Sequence, residues 1–116
     1  MLIVEDEFLL AMDIENALRE EGAQVVGPAV TVKDALATAE SADLNAAVLD
    51  LNVRGEMSYP VAGVLDSRGI PFLFATGYAA SRIPDMFQYR PCLRKPFTWE
   101  ALISALEQLV AEPSRS

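Results

Sequence analysis

Apolar residues along this chain fall into two rhythms, short unbroken runs and spaced stripes, and the two alternate. Leu2-Ile3-Val4 is a run, followed at once by Glu5-Asp6-Glu7. Residues 8–21 then carry Leu10, Ile14, Ala17 and Leu18 at helical spacing, with Asp13, Glu15, Arg19 and Glu20 on the other side and Gly22 as a C-terminal cap. Gln24-Val25-Val26-Gly27 reads as a second strand, closed by Gly27-Pro28. Thr31 is placed to cap a second helix over residues 32–41, with Asp34 near the capping-box position and Ala35, Leu36 and Ala39 as its stripe. Ala46-Ala47-Val48-Leu49-Asp50-Leu51-Asn52 is a third run, of the kind that forms a strand buried on both faces. A polar loop over residues 53–58 leads to a third helix, from about residue 59 to 68, capped by Gly69. Pro71-Phe72-Leu73-Phe74-Ala75 is a fourth buried strand ending in Thr76-Gly77-Tyr78. Residues 79–89 are weakly helical at best, because Pro84 interrupts them. Cys92-Leu93-Arg94 is a short fifth strand, and Thr98 caps a last helix with Leu102, Leu106 and Leu109 on its apolar side, before a polar tail over residues 112–116.

Five alternations of strand and helix predict an α/β fold with a parallel sheet. With five strands the expectation is a flavodoxin-like, doubly wound sheet of order 2-1-3-4-5 with helices on both faces. The 116 residues fit one domain, residues 1–116. Hydrophobic residues at 52% against 22% charged mark a globular chain rather than a disordered one. No apolar run approaches the roughly 18 residues of a membrane span. The N-terminus lacks the basic start and cleavage site of a secretory signal, so a cytoplasmic protein without membrane contact is expected.

Charge and residue counts narrow the chemistry. Nine Lys and Arg stand against seventeen Asp and Glu, a net charge of −8, which argues against nucleic-acid binding. With no histidine, imidazole base catalysis and imidazole-based zinc sites are excluded. The single cysteine, Cys92, excludes an internal disulfide and reads as a small core residue. Only two lysines occur, Lys33 and Lys95.

In a parallel sheet the C-terminal strand ends share one edge, where ligands bind. That edge would collect Glu5 and Asp6 from strand one, Asp50 from strand three, Thr76 from strand four and Lys95 from strand five. Three clustered carboxylates repel one another by about 4 kcal/mol per close pair at an effective dielectric near 20. Lys95 supplies one compensating charge, and a hard divalent cation with oxygen ligands, Mg²⁺ (or Mn²⁺), would supply two. A carboxylate such as Asp50 can act as a nucleophile toward phosphorus, with Lys95 and the Thr76 hydroxyl on the phosphoryl oxygens. An X-Pro bond takes the cis form at low cost, and a cis Lys95-Pro96 bond would turn Lys95 inward.

With Glu5-Asp6, Asp50, Thr76 and Lys95-Pro96 in this order, the chain resembles the receiver domain of bacterial two-component response regulators over essentially its whole length. The resemblance implies that Asp50 is the phospho-acceptor. It makes Glu5 and Asp6 the acidic pair that holds Mg²⁺ together with Asp50, and the backbone carbonyl of Asn52 the group that completes the metal site. Thr76 becomes the switch hydroxyl and Lys95 the phosphate-contacting lysine. Phe72-Leu73-Phe74-Ala75-Thr76-Gly77-Tyr78 further resembles the FAT GUY receivers, typically single-domain regulators. Cys92 stands where an aromatic switch residue is usual, three residues before the lysine, and Tyr78 is the candidate to take over part of that role. The implied partners are a histidine kinase or phosphotransfer protein, which would donate to Asp50, and a downstream protein. A phosphorylation-dependent dimer is also in keeping with the family. The domain would catalyse its own phosphorylation and dephosphorylation without turning over a separate substrate.

Plainer readings stand beside these. Asp50 could end a strand, Glu5-Asp6 could favour the first helix through its dipole, and Thr76 could bond only backbone. Trp99 reads as packing, and Arg54 and Glu56 as ordinary loop polarity or a kinase contact. Two rival functions stand beside the preferred one, the second of them on the same fold. A phosphatase with an aspartyl-phosphate intermediate needs a second Asp two residues after the nucleophile, where Asn52 stands. An unphosphorylated interaction module would be expected to lack one of the acidic or lysine residues, and none is lacking.

Overall fold

The structure is a computed structural model that describes residues 1–77 and 83–111. In chain order the elements are β1 (Leu2–Val4), α1 (Phe8–Glu20), β2 (Val26–Ala29), α2 (Val32–Ser41), β3 (Ala47–Leu49), β4 (Asn52–Val53), β5 (Glu56–Met57), α3 (Tyr59–Ser67), β6 (Phe72–Thr76), a 3-10 turn (Asp85–Phe87), β7 (Cys92–Arg94) and α4 (Trp99–Ala111). The main sheet has the order β2-β1-β3-β6-β7 with every pairing parallel. With the small β4–β5 pair set aside, this is the expected 2-1-3-4-5 winding.

The unbroken apolar runs follow from burial on both faces. Successive side chains of a strand point to opposite sides, so each central strand feeds two cores. Leu2, Val4, Leu49, Phe72 and Phe74 pack on one face against Ala35 and Ala39 of α2 and Val61 and Leu65 of α3. Ile3, Val48, Leu73 and Ala75 pack on the other against Ile14 and Leu18 of α1 and Leu102, Leu106 and Leu109 of α4. The helix stripes were legible, with one shift: on α1 the buried positions are Ala11, Ile14 and Leu18, while Leu10 and Ala17 lie at the rim. Helix starts use the caps read from sequence, with Thr31 Oγ1 accepting from the Asp34 N–H and Thr98 Oγ1 from the Ala101 N–H, both at 3.1 Å. Gly22, at φ 86°, ends α1 in the left-handed region.

Two expectations change. The second strand is not residues 24–27 closed by Gly27-Pro28; it starts later and runs through both residues. β2 is an edge strand, where a proline without an N–H is tolerated. Its register against β1 moves from Leu2↔Val26 to Val4↔Ala29, so β2 carries one extra residue, a bulge. Gly27 makes that bulge possible at φ 100°: a Cβ there would lie 2.8 Å from the Ala29 nitrogen and 3.0 Å from the Ile3 carbonyl oxygen. The Gly27–Pro28 and Lys95–Pro96 peptides are both cis.

Residues 53–58 do not form a plain loop but belong to a hairpin, with Asn52 paired to Met57 and Val53 to Glu56. Two-residue strands are too short to show a period in the sequence. The turn between them, Arg54-Gly55, has positive φ at both residues (52° and 84°), the requirement of a type I′ hairpin turn. Finally, within residues 79–89 the described part contains one 3-10 turn after Pro84, and its buried Phe87 packs edge-on against Phe72 and Phe74, with ring centroids 5.9 and 6.3 Å away. Residues 79–82 and the tail at 112–116 lie outside the described residues.

Gly27→Ala and Gly22→Ala separate backbone strain from close approach, because a Cβ at Gly22 meets nothing within 4 Å. Urea unfolding should show Gly22→Ala destabilised by about 1 kcal/mol, and Gly27→Ala by a further 1–3 kcal/mol or so. Equal losses would contradict the account of the bulge.

Candidate functional site

β1 and β3 are neighbours in the sheet centre, and both release a carboxylate at the same edge. Val4 is followed by Glu5 and Asp6, and Leu49 by Asp50. One oxygen from each of Glu5, Asp6 and Asp50 comes within 4.8 Å of the others. At that separation each ionised pair costs about 3–4 kcal/mol at an effective dielectric near 20. Glu5 and Asp50 are buried, and Glu5 is only 1% exposed.

Lys95 leaves β7 and places its ammonium among these groups. Nζ donates to Glu5 Oε2 at 2.8 Å and to Asp50 Oδ2 at 3.2 Å, and lies 4.0 Å from Glu7 Oε1. The Lys95 N–H donates to the Thr76 carbonyl at 2.9 Å, which ties the end of β7 to the end of β6. Lys95 borders a cleft of about 350 Å³, shared with Glu7, Leu10, Pro96, Phe97 and Trp99. Trp99 is not interior packing; it is 40% exposed and meets Phe97 edge-on, with ring centroids 5.9 Å apart.

The charges do not balance. Burial pushes the Glu5 carboxyl up to about 7; the Lys95 ammonium pulls it down and the Asp50 carboxylate pushes it up. For Lys95, burial works against the charged form, but the bond to Glu5 and the charge of Asp50 outweigh it and hold the ammonium above its ordinary range. Even with Lys95 in place, Glu5 in the metal-free cluster keeps its proton to higher pH than an ordinary carboxyl does. A cluster of hard oxygens carrying surplus negative charge suits a hard divalent cation.

The expected residues are thus partly brought together. Glu5, Asp6, Asp50 and Lys95 converge. Thr76 stands fully buried at the end of β6. The Asn52 N–H approaches Asp50 Oδ1 at 3.4 Å, while its side chain accepts from the Gly55 N–H at 3.0 Å. Tyr78 lies outside the described residues. Cys92 is half-buried at the margin of the α2–α3 core, and burial raises its thiol pKa.

Sequence reasoning missed three contributors. Ser58 is completely buried and donates its hydroxyl to the Asp50 carbonyl, fixing the backbone that carries the carboxylate. The Glu7 N–H donates to Glu5 Oε1 at 3.1 Å. The Arg54 N–H donates to Asp6 Oδ2 at 2.9 Å, across 48 positions of sequence. A Gly at the tip between Val53 and Met57 was the available signal for the last, and Ser58 just before Tyr59-Pro60 for the first.

No protein-family profile matches the chain. Among curated proteins it is similar to the transcriptional regulatory protein PdtaR of Mycobacterium tuberculosis, 29% identical over 115 residues, 96% of this chain; the chain spans 56% of that relative's length. Among solved structures it is similar to SdrG from Sphingomonas melonis Fr1, with TM-score 0.82 and 46% identity over 95% of this chain and 94% of that one. The chain belongs to the response-regulator receiver family. SdrG has also been solved in a BeF₃-activated conformation, at TM-score 0.78 and 44% identity. The response regulator PhyR from Brucella abortus is 30% identical over 94% of this chain, with TM-score 0.79, and this chain covers 46% of it. The receiver domain of sensor histidine kinase PA1611 from Pseudomonas aeruginosa PAO1, with a magnesium ion in its active-site cleft, shares the fold at TM-score 0.81 and 22% identity, over 96% of each chain. The general role of this receiver domain is phosphoryl acceptance in two-component signal transduction.

A pH prediction follows from Glu5. Its folded pKa lies above the ordinary 4.5, at about 7, so its stabilising contribution is full below 4.5 and is lost as pH rises through 7. In metal-free buffer the melting temperature should fall between about pH 4.5 and about pH 7 and level off above, and Glu5→Gln should flatten that fall. An identical slope in the variant would contradict the assignment.

Proposed function

We propose that Asp50 is the phospho-acceptor of this receiver, taking a phosphoryl group from a histidine kinase or phosphotransfer protein with the help of Mg²⁺ (or Mn²⁺). The observation that carries the reading is the Lys95 ammonium, 2.8 Å from Glu5 and 3.2 Å from Asp50, at the rim of a three-carboxylate cluster. A phosphoryl group on Asp50 would keep Lys95 as its neighbour while Glu5 and Asp6 remained available to a cation. The magnesium in the PA1611 receiver and the BeF₃ activation of SdrG lend support from similar proteins.

In the proposed transfer an Asp50 carboxylate oxygen attacks phosphorus, forming an acyl-phosphate bond as the phosphorus–nitrogen bond of a donor phosphohistidine breaks. The imidazole leaves with its electron pair and takes a proton from solvent. Lys95 offers its ammonium to a phosphoryl oxygen, exchanging part of its present pairing with Glu5 and Asp50. The Ser58 hydroxyl holds the Asp50 backbone still while the side chain reacts. A bound divalent cation would supply charge neutralisation and orientation, with Glu5, Asp6, Asp50 and the Asn52 carbonyl as its protein ligands. Thr76 acts as the switch hydroxyl, and Tyr78 takes over part of the role of the usual switch aromatic. Output passes through contacts with a downstream protein, a second copy included.

We place the chain in the FAT GUY subgroup on its Phe74-Ala75-Thr76-Gly77-Tyr78 stretch, as a single receiver unit over residues 1–116 acting in the cytoplasm. Among the described residues no helix is long and apolar enough to cross a membrane. The phosphatase alternative gains nothing, since Asn52 at the required acid/base position spends its side-chain oxygen on the Gly55 N–H.

Incubation with Mg²⁺ and acetyl phosphate should add one phosphoryl group by intact mass, and Asp50→Asn should add none. An unmodified wild type, or an unchanged adduct on the variant, would overturn the acceptor assignment.

A further inference from the structure

The β4–β5 hairpin carries a feature that the acceptor chemistry leaves unused. Among the described residues, Arg54 is the only non-glycine residue with positive φ, at 52°. Such backbone is costly for a side chain with a Cβ and persists where surrounding bonds hold it. Here the N–H of that same residue reaches from the β3 side of the site to Asp6 Oδ2 on the β1 side. The hairpin is well anchored to do this. Val53 is buried in the α2–α3 core and Met57 packs against it. The Ser58 N–H donates to the Leu51 carbonyl, the Ser58 hydroxyl to the Asp50 carbonyl, and the Gly55 N–H closes onto Asn52 Oδ1.

We propose that the Arg54-Gly55 turn is a positioning clamp for the cation site: its backbone N–H fixes the Asp6 carboxylate in the orientation at which Glu5, Asp6 and Asp50 converge. A free surface carboxylate must lose rotamer freedom when it takes a metal, a cost of the order that changes affinity about two- to tenfold. Groups that orient a metal ligand from outside are worth about tenfold or more in affinity when removed. Arg54 therefore acts through its backbone and not through its guanidinium. The proposal rests on reading the three carboxylates as a divalent-cation site.

The turn can be perturbed in both directions. Gly55→Ala introduces a Cβ at φ 84° that meets nothing within 4 Å, so it strains the turn without a clash. Arg54→Asn creates the Asn-Gly pair that type I′ turns favour. Arg54→Gln removes the same charge without favouring the turn. Calorimetric titration of each full chain with Mg²⁺ alone should show Gly55→Ala weakened by about two- to tenfold against wild type. Arg54→Asn should bind more tightly than Arg54→Gln. Urea midpoints check that each variant is folded. In metal-free wild type, the Arg54 amide should be protected against hydrogen exchange.

Equal affinities of Arg54→Asn and Arg54→Gln, together with an unchanged Gly55→Ala, in a wild type that binds Mg²⁺ would overturn the clamp and leave the cation site standing. Rapid exchange of the Arg54 amide would overturn it as well. A wild type that binds no Mg²⁺ would overturn both.

Discussion

Everything at this site depends on crowding three carboxylates where burial makes their charges expensive. Glu5 and Asp50 are buried, and the oxygens of Glu5, Asp6 and Asp50 gather within 4.8 Å. One ammonium, Lys95, stands among them, and it does not neutralise them. The fold bears this cost because the two strands that deliver the acids, β1 and β3, sit at the sheet centre with helices on both faces. That edge cannot splay apart without opening both cores, because each central strand feeds both. The shortfall of positive charge is what makes the cluster reactive toward a cation, and toward a phosphoryl group brought with it.

Local sequence serves this arrangement in layers. The short strands end at the acids, so a register slip of one residue would turn an apolar side chain into the site and an acid into a core. β7 carries Lys95 to the same edge through the backbone bond to Thr76. The hairpin after β3 then closes the site from the side, with Ser58 steadying Asp50 and the Arg54 amide steadying Asp6. Function here is less a matter of special residues than of where four strand ends stop.

The winding order, both cores, two helix caps and the convergence of Glu5, Asp6, Asp50 and Lys95 were legible in the chain itself. They rest on long apolar runs, helical stripes and a count of strand ends, all of which survive errors of a residue or two. The bulge of β2 was not legible, because Gly27-Pro28 reads as a stop unless the strand is known to be at an edge. Nor was the hairpin, whose strands are two residues each. Ser58 and the Arg54 amide left only weak signals for a related reason: one looks like loop polarity and the other is backbone, which every residue has. Ala11 replaced Leu10 in the core because the stripe of α1 is centred one position later than its largest side chains indicate.

The central claim is that Glu5, Asp6 and Asp50 together hold one divalent cation. Crystals soaked in Mn²⁺ and measured for anomalous scattering test it directly. The account predicts one strong peak within bonding distance of oxygens from all three residues. A peak elsewhere, or none at this edge of the sheet in a soak that labels other carboxylates, would contradict it.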